Sequence, residues 1–567
     1  MRHRLILPLL VLLCALALVL AWWASRGQSV ALVEPSQVQE QTSVAAPMLP
    51  CISYAPFRHP GINPFNYRAQ VSAAQIEADL RILKTRSLCV RTYGLSQGLD
   101  AVPAVAKKLG MRVKLGVWLA RDAQQNQAEL ERGLALARAY PGVVELLIVG
   151  NEVLLRRELS PQALGAVLAY ARTQSPVPIT YADVWEFWQR HAVLAHQVDL
   201  VTVHILPYWE DNPVPVEAAV GHVLDIAHTM QQQFAGKPVW VGETGWPAAG
   251  RQRAGAVPGR VEQSRFVREL MQRTSTAPLD YNLIEGFDQP WKRAFEGAMG
   301  GYWGLFDQYG QARVNLAGAV VEDAQWWRGL MGALMGALMG IFMGWLLSAL
   351  LGKLATARSM TSALPVPQIL GLAWSSMAMA GGILGALVPL QWLMVQQWDR
   401  TPQEWAMSAL LALLGLGVTL TALAPLMRAS ASHASLPLGP APTRWQKLAG
   451  ILRIALLFAA ATAVLVLALD ARYRPFPWWW FLAPCAALAA RRLSGREAAG
   501  RPTAQEQCLA GIIGACAVYI AFAEGWHNAQ AMAYCALMLV LAGVAGLPSR
   551  TNTSSASKAA GAHSSVV

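Results

Sequence analysis

The sequence predicts a TIM-type (β/α)8 barrel followed by an all-α bundle of transmembrane helices, and two patterns predict this combination. Residues 50–328 alternate short apolar runs with amphipathic stretches, whereas residues 329–547 are a succession of long apolar runs. Charge follows the same division, because residues 331–567 contain 15 Lys and Arg but only six Asp and Glu. Basic residues between apolar runs are typical of membrane loops and argue against a nucleic-acid-binding protein, which clusters them on a soluble domain.

The N-terminal segment predicts a membrane anchor. Arg2 and Arg4 precede an apolar stretch that ends at about residue 23. This stretch is long enough to cross ~30 Å of hydrocarbon and exceeds the apolar part of an ordinary signal peptide. We expect residues 1–23 to form an uncleaved signal-anchor helix, with cleavage near Ala24 as the alternative. Residues 24–49 then form a periplasmic tether.

Eight short apolar runs predict the strands of the barrel domain, which we place at residues 50–328. They are Cys51–Tyr54, Leu88–Arg91, Val113–Val117, Glu145–Val149, Pro178–Tyr181, Leu200–His204, Pro238–Gly242 and Leu283–Phe287. Amphipathic patterns between them predict helices over 72–86, 126–139 and 161–173, with Ser72 and Ser160 as N-caps. Strands that alternate with helices imply parallel βαβ units, and eight such units favour a closed barrel over an open sheet.

Seven apolar runs predict a transmembrane domain of about seven helices over residues 329–547. They lie near 330–351, 366–390, 405–427, 448–469, 476–490, 508–523 and 529–547. Most basic loops fall on the same side as the N-terminus, so the positive-inside rule puts both termini in the cytoplasm and the barrel in the periplasm. Arg472 and Arg474 are exceptions, since they fall on the outer side. Residues 548–567 predict a disordered cytoplasmic tail.

Glycine and cysteine positions give two further expectations. Gly332, Gly336, Gly340 and Gly344 recur at every fourth residue of the first apolar run, which indicates a face where another helix packs closely. Low-complexity sequence is the alternative interpretation. Cys51 and Cys89 begin neighbouring strands, and we expect two buried free thiols because adjacent paired strands seldom give relaxed disulfide geometry. No cysteine pattern indicates a metal site, so we expect neither metal nor cofactor.

Polar and aromatic side chains collect where the predicted strands end, which is where such barrels place their chemistry. Strand 4 ends in Asn151 and Glu152, and strand 7 ends in Glu243. The other candidates, in chain order, are Tyr54, Arg91, Tyr93, Trp118, Asp183, Trp185, His204, Tyr208, Trp209, Trp246, Asp288, Trp291 and Lys292. A retaining glycosidase needs one protonated and one ionised carboxyl group about 5–5.5 Å apart. A lone strand-end Glu is more often structural, but the joint placement of two favours catalysis.

Several of these segments resemble glycoside hydrolase family 17, the β-1,3-glucanases and glucanosyltransferases. Residues 243–247, Glu-Thr-Gly-Trp-Pro, resemble the family's nucleophile signature, and residues 150–153, Gly-Asn-Glu-Val, resemble its acid/base segment. Residues 90–93 and 287–292 are similar to its strand-2 and strand-8 segments. The resemblance implies Glu243 as nucleophile, Glu152 as acid/base and Asn151 at the 2-hydroxyl of the −1 sugar. Gln289 departs from the family, which usually has Glu there.

The domain order resembles bacterial inner-membrane members of this family, in which a periplasmic barrel is joined to membrane spans. The resemblance implies that the protein acts on β-glucan beside the lipid bilayer. The predicted cytoplasmic loops are too short for a glycosyltransferase, so any membrane glucan synthase that works with this protein is a separate chain. We expect aromatic residues after strands 7 and 8, Trp291 among them, on the acceptor side of the cleavage point.

Three classes of function follow from these patterns. The first is a retaining β-1,3-glucan-active enzyme, with transglycosylation preferred over endohydrolysis. The second is a non-catalytic glucan-binding or export-partner module, against which the two intact glutamates argue. The third is a transporter that the barrel loads, against which the scarcity of ionisable residues in the apolar runs argues.

Overall fold

The computed structural model describes residues 26–30, 48–59, 61–276, 279–357, 366–428, 444–493 and 502–547. The chain divides into two compact units, a barrel unit over Arg26–Glu322 and a helical unit that begins at Asp323. The predicted signal anchor (1–23) and cytoplasmic tail (548–567) lie outside the described residues, as does most of the predicted tether (24–49).

Eight parallel strands close into a barrel in chain order, as the sequence predicts. They are β1 (Cys51–Ser53), β2 (Cys89–Arg91), β3 (Arg112–Val117), β4 (Val144–Asn151), β5 (Ile179–Val184), β6 (Val201–His204), β7 (Val239–Thr244) and β8 (Tyr281–Leu283). The last strand lies earlier than the predicted Leu283–Phe287. Beyond Leu283 the chain turns toward residues 303–306, where the Glu285 N–H donates to the Trp303 carbonyl at 3.1 Å. The apolar run in the sequence therefore extends beyond the end of β8, because residues after Leu283 bond to residues 303–306.

Most helices of the barrel unit bury an apolar face against the rest of the unit, whereas the last and shortest has no buried residue. They are α1 (Ala73–Leu83), α2 (Val102–Leu109), α3 (Ala123–Ala139), α4 (Pro161–Gln174), α5 (Trp185–Arg190), α6 (Val216–Gln233), α7 (Arg260–Thr276) and α8 (Arg293–Glu296). The predicted N-caps are confirmed, since the Ser72 hydroxyl accepts from Gln75 N–H and the Ser160 hydroxyl accepts from Ala163 N–H. Each cap satisfies one backbone donor that the first turn leaves unpaired.

Cys51 and Cys89 form a disulfide, so the expectation of two free thiols is wrong. The two residues begin β1 and β2, and their Cα atoms are 4.6 Å apart. Neighbouring strands lie about 4.8 Å apart. That spacing falls within the Cα separation that a disulfide spans, so facing side chains on paired strands can be joined here.

Seven helices make up the described part of the helical unit. They are α9 (Trp327–Ala357), α10 (Val366–Trp398), α11 (Pro402–Arg428), α12 (Arg444–Leu469), α13 (Trp478–Leu493), α14 (Ala504–Glu524) and α15 (Ala529–Gly546). Among the described residues, five of them contain segments long and apolar enough to cross a membrane: Trp327–Leu346, Pro402–Leu423, Arg444–Leu469, Ala504–Glu524 and Ala529–Gly546.

Helices α9 and α10 pack closely through glycine, as the four-residue period predicts. A methyl group added at Gly336 would lie 2.0 Å from the carbonyl oxygen of Gly381, and one at Gly332 would lie 2.3 Å from that of Gly385. At Gly340, also on α9, the added methyl group would lie 2.1 Å from a backbone carbonyl oxygen of α10, the helix that carries Gly381 and Gly385. These distances are far below van der Waals contact, so the two backbones can approach only because side chains are missing.

Candidate active site

Glu243 lies near the end of β7, where the strand leaves regular pairing with its neighbours. Its partner across the ladder is His204 at the end of β6, and the register shifts at this pair. The residue before it must be small, because a methyl group at Gly242 would lie 2.4 Å from the Thr202 side chain. Irregular pairing at a barrel rim re-aims side chains. Glu243, only 5% exposed, therefore lies in the buried floor of the barrel mouth.

Glu152 follows β4 in a backbone conformation that L-residues rarely adopt. Its φ is +52°, and Gly150 two residues earlier has φ +91°. A side chain at Gly150 would meet Val153 at 2.8 Å, which accounts for glycine in this segment. The turn is fixed because Glu152 N–H donates to the Ala182 carbonyl of β5 at 2.7 Å. Backbone strain of this kind is concentrated at functional sites.

The two glutamates meet across His204. The imidazole Nδ1 is 3.0 Å from a Glu152 carboxylate oxygen, and Nε2 is 3.7 Å from a Glu243 carboxylate oxygen. One side-chain atom of each residue, a ring nitrogen or a carboxylate oxygen, lies within 4.8 Å of the corresponding atoms of the other two. Carboxyl groups about 5–5.5 Å apart are typical of retaining glycosidases, whereas inverting enzymes separate them by about 6.5–9.5 Å.

Arg91 at the end of β2 joins Glu243 to Asn151, the residue that precedes Glu152. Its side chain is fully buried; Nη1 donates to Glu243 Oε1 at 2.7 Å and Nη2 donates to Asn151 Oδ1 at 2.5 Å. Because the Asn151 oxygen faces Arg91, its Nδ2 donor is turned away from the guanidinium. A buried arginine with these partners holds the Glu243 carboxylate and the Asn151 amide in fixed orientations.

The surroundings of Glu243 favour its ionised form. Burial by itself would raise the pKa of Glu243. The His204 and Arg91 side chains, with smaller contributions from Lys292 and the Tyr93 hydroxyl, outweigh burial and hold this pKa below its ordinary value. A carboxylate that stays ionised while desolvated is suited to act as a nucleophile.

The cluster of Glu152, His204 and Glu243 is the one group of the described residues whose spacing could hold a metal ion. The Arg91 guanidinium already donates to the Glu243 oxygen that would serve as a ligand. Its fixed positive charge opposes the binding of a cation there. The arrangement fits acid/base and nucleophilic chemistry better than metal chemistry.

Glu285 is a charged residue in this site that the sequence analysis did not select. It follows β8, is 1% exposed, and accepts from Lys292 Nζ at 3.1 and 3.2 Å. Burial raises the pKa of Glu285 to about 7 although Lys292 opposes the shift. Burial would lower the pKa of Lys292, but Glu285, Glu296 and Glu243 raise it to about 12. The sequence did contain a signal for Glu285, since it is a carboxyl-bearing residue inside an otherwise apolar run that resembles a strand.

Three of the predicted aromatic contacts keep exposed surface. Trp118 is 40% exposed, with the Arg156 guanidinium 4.0 Å from its ring centroid. Trp185 is half-buried and donates from its indole nitrogen to Glu210 at 3.2 Å. Trp291 is also half-buried. Tryptophan surface that stays exposed is suited to contact the C–H faces of sugar rings.

Other predicted contacts are buried and already paired. The Tyr54 hydroxyl donates to Asp79 at 3.1 Å, and the Trp246 indole nitrogen donates to the Val257 carbonyl at 2.9 Å. Tyr208 is fully buried against Trp246, and Asp288 pairs with Arg313. These four residues support the rim rather than line open surface, because strand-end position does not by itself decide exposure. We leave them out of the binding surface proposed below.

Of the remaining predicted residues, Tyr93 and Trp209 are half-buried and Asp183 is buried. The Tyr93 hydroxyl is 2.9 Å from the Ser53 hydroxyl, and the Arg91 guanidinium lies over its ring. Trp209 is half-buried and stacks on Trp303 with 6.4 Å between ring centroids. Asp183 is buried and accepts from Val184 N–H at 2.8 Å, and burial raises its pKa to about 6.

Comparisons with known proteins agree with this geometry over the barrel. Residues 51–304 match the family model described as the BtgE/BtgC glycoside hydrolase domain. The chain is 27% identical over 256 residues to the glucan 1,3-beta-glucosidase of Arthroderma benhamiae, covering 41% of this chain and 81% of that protein. It is 24% identical over 255 residues to the glucan 1,3-beta-glucosidase of Candida albicans, covering 41% and 82%.

Among solved structures, the chain is similar to the glycoside hydrolase family 17 β-1,3-glucanosyltransferase of Rhizomucor miehei. The sequence identity is 24%, the TM-score is 0.42, and the match covers 48% of this chain and 98% of that one. The family model and the curated relatives support a glycoside hydrolase domain over the barrel unit. The family match ends before the helical unit begins.

Proposed function

We propose that this protein is a retaining β-1,3-glucan-active enzyme that works by double displacement and transfers glucan chains. The observation that carries the proposal is the pair of carboxylates at the ends of β4 and β7, whose oxygens lie within 4.8 Å of each other around His204. The glucan specificity rests on the named relatives and on the motif resemblance, and the retaining mechanism rests on the carboxylate spacing.

In the first step the ionised Glu243 attacks the anomeric carbon of the −1 sugar. Glu152 donates its proton to the glycosidic oxygen, so the leaving chain departs with a hydroxyl group and the donor chain stays bound to Glu243 as an ester. Arg91 holds the attacking carboxylate at 2.7 Å, and the outward-facing Nδ2 of Asn151 is available to donate to the 2-hydroxyl of that sugar.

In the second step Glu152, now ionised, removes a proton from the attacking hydroxyl group and the ester to Glu243 breaks. Water as the attacking group gives hydrolysis, and a glucan hydroxyl gives transfer. The carboxylates serve both outcomes equally. We prefer transfer because an enzyme joined to membrane helices acts on glucan beside its own membrane, where remodelling preserves the polymer. Endohydrolysis is the second candidate, and the relatives named as glucosidases support hydrolysis in general.

We further propose that the barrel lies in the periplasm of a bacterial cell and that the helical unit anchors it in the inner membrane. The five apolar helices support a membrane location, and the positions of the basic loops support the orientation. Arg453 on α12 pairs with the buried carboxyl group of Glu506 on α14, with 2.5 Å between the two atoms. A paired intramembrane charge favours anchoring or partner docking over transport.

Product analysis of laminarihexaose with the purified full-length protein in detergent tests the proposal. We expect products longer than the substrate at high substrate concentration, each with β configuration at the new bond. Only shorter products would favour the endohydrolase, and initial products with α configuration would contradict the retaining mechanism. No turnover of any β-1,3-glucan would contradict the enzymatic function itself.

A further inference from the structure

Three aromatic rings form a contiguous exposed cluster at the rim between β8 and β1. We call Phe65, Trp291 and Phe295 the rim platform. Phe65 comes from the loop after β1, and its ring centroid lies 5.6 Å from that of Trp291 and 5.1 Å from that of Phe295. Phe65 and Phe295 are each 57% exposed. Clustered exposed rings are costly in water, so such a surface indicates a binding site.

Gln289 fixes the orientation of the central ring. Its side chain is fully buried; Nε2 donates to the Ala55 carbonyl at 2.8 Å, and Oε1 accepts from the Trp291 indole nitrogen at 2.9 Å. A side-chain amide can donate and accept at the same time in this position, whereas an ionised carboxylate can only accept. An ionised Glu would direct an oxygen at the Ala55 carbonyl, so the departure from the family at this residue has a structural function in this chain.

The loop that carries Phe65 is also held in place. Its backbone N–H donates to Asn63 Oδ1 at 2.9 Å, and Gln97 Nε2 donates to the carbonyls of Asn63 and Asn66 at 3.1 and 2.7 Å. A ring on a loop with these bonds is ordered before any ligand arrives. Preorganised aromatic rings bind with a smaller entropy loss than mobile ones.

The rim platform is continuous with the proposed catalytic site. Trp291 precedes Lys292, which bonds Glu285 and whose charge acts on Glu243. When the closed barrel is followed from β4 to β7, the next strands are β8 and then β1. These two strands therefore lie on the side of β7 that faces away from β4. The leaving chain receives its proton from Glu152 on β4, so the acceptor side of the site lies toward that residue.

We propose that the rim platform binds a β-glucan chain on the donor side of the cleavage point, with its rings against the C–H faces of sugars beyond the −1 position. This inference rests on the proposed function and deepens it. It also differs from the sequence-based expectation, which placed Trp291 on the acceptor side. The rings of Phe65 and Phe295 are additions that the sequence analysis did not contain.

Binding of a ladder from laminaribiose to laminarihexaose, measured by calorimetry on full-length Glu243→Gln protein, tests the platform without turnover. We expect Phe65→Ala/Phe295→Ala to weaken binding of the longest oligosaccharide roughly 30-fold, since two stacked rings contribute ~1 kcal/mol each and about 1.4 kcal/mol corresponds to tenfold. Laminaribiose should bind nearly as before. Tyr170→Ala is the matched control, because Tyr170 is a 41% exposed aromatic residue on the outer helix α4.

Two results would overturn the platform. One is unchanged binding of laminarihexaose by the double variant, and the other is an equal loss for every length in the ladder. Donor-side placement is tested with active protein carrying the same two substitutions, in which kcat/KM for laminarihexaose cleavage should fall. An unchanged kcat/KM with an altered transfer-to-hydrolysis ratio would place the platform on the acceptor side instead. If Glu243→Gln protein binds no member of the ladder, the proposed function itself fails.

Gln289→Glu is an independent test of how the ring is held. We expect it to reduce laminarihexaose binding in the same length-dependent way, because the Trp291 indole N–H loses its acceptor when an ionised Glu turns away from the Ala55 carbonyl. Trp291→Phe keeps a ring and removes the indole donor. Equal binding by Gln289→Glu and the parent protein would contradict the role of Gln289.

Discussion

The barrel unit and the helical unit are held together by different kinds of contact. In the barrel mouth, charged residues such as Arg91 and Glu243 are buried and bonded to one another, and the arrangement selects a chemistry. In the helical unit, α9 directs Met335 and Met339 outward, at 67% and 62% exposure, and packs on α10 through glycine. Buried charge pairs therefore organise the barrel mouth, whereas close backbone contact organises the helix pair. The following predictions test that contrast by activity on short β-1,3-glucan oligosaccharides.

The largest effect is expected at Glu243. Glu243→Gln should lower kcat by at least about 10³-fold, because an amide does not form the ester intermediate. The amide oxygen can still accept from Arg91, so we expect the unfolding temperature to stay close to the parent value. Steady-state kinetics and a thermal melt of the full-length protein check both outcomes.

Glu145→Gln is the matched control for that substitution. Glu145 lies on β4 near its opposite end, where it pairs with Arg112 at 3.1 Å on the surface. Turnover there should be unaffected. In Glu243→Gly, added azide should restore cleavage with inverted products, and near-normal turnover in Glu243→Gln would disprove the nucleophile assignment.

The next largest effect is expected at Glu152. Glu152→Ala should lower activity on oligosaccharides by about 10²- to 10⁴-fold, the usual contribution of a general acid. Aryl glucan derivatives whose leaving group needs no proton should lose far less in the first step. Burst kinetics with such a substrate measure this difference. Equal losses on both kinds of substrate would assign Glu152 another role.

A smaller, pH-dependent effect is expected at Lys292. Its positive charge contributes to the lowered pKa of Glu243, so its removal in Lys292→Met raises that pKa. Less of Glu243 is then ionised at a given acidic pH, and the acid limb of the kcat/KM profile moves to higher pH. On that limb we expect kcat/KM to fall roughly tenfold for each unit by which the pKa rises, with little change at neutral pH, where Glu243 stays ionised in both proteins.

Lys114→Met is the control for Lys292→Met. Lys114 is also a shielded lysine, bonded to Asp280 at 2.9 Å, but it lies at the opposite end of the barrel. Its removal should leave the shape of the pH profile unchanged. An acid limb that stays in place in Lys292→Met would show that Lys292 does not act on Glu243.

Much of the barrel could be predicted because its signals are local. The β/α rhythm, the caps at Ser72 and Ser160, and the strand-end glutamates all appear in short stretches of sequence. Exposure could not be predicted in this way. Trp246 and Trp118 both follow strands and are both tryptophan, yet the first is fully buried and the second is 40% exposed, because distant segments decide what covers each ring.

The pairing of residues far apart in sequence was the other limit. Whether Cys51 and Cys89 face one another depends on the register of β1 and β2, which local patterns do not determine. The rim platform likewise joins Phe65 to residues more than 200 positions away. The glycine period was more informative, since one face of a single helix contains the whole signal.

The smallest effect on activity, and the largest on the helical unit, is expected at Gly336. An added methyl group would lie 2.0 Å from the Gly381 carbonyl oxygen, whereas Gly329 on the same helix has open space around it. Gly→Ala raises intrinsic helix stability by ~1 kcal/mol, so Gly329→Ala should be neutral or stabilising. Gly336→Ala must separate α9 from α10 and should destabilise the pair by about 1–3 kcal/mol. Size-exclusion chromatography of heated full-length protein in detergent measures this difference, while both variants should cleave oligosaccharides at the parental rate. If Gly336→Ala and Gly329→Ala resist heating equally, close backbone contact does not hold the helix pair together. If Gly336→Ala also loses cleavage, the two units are not independent, and the contrast between a charge-determined barrel and a shape-determined helix pair no longer holds.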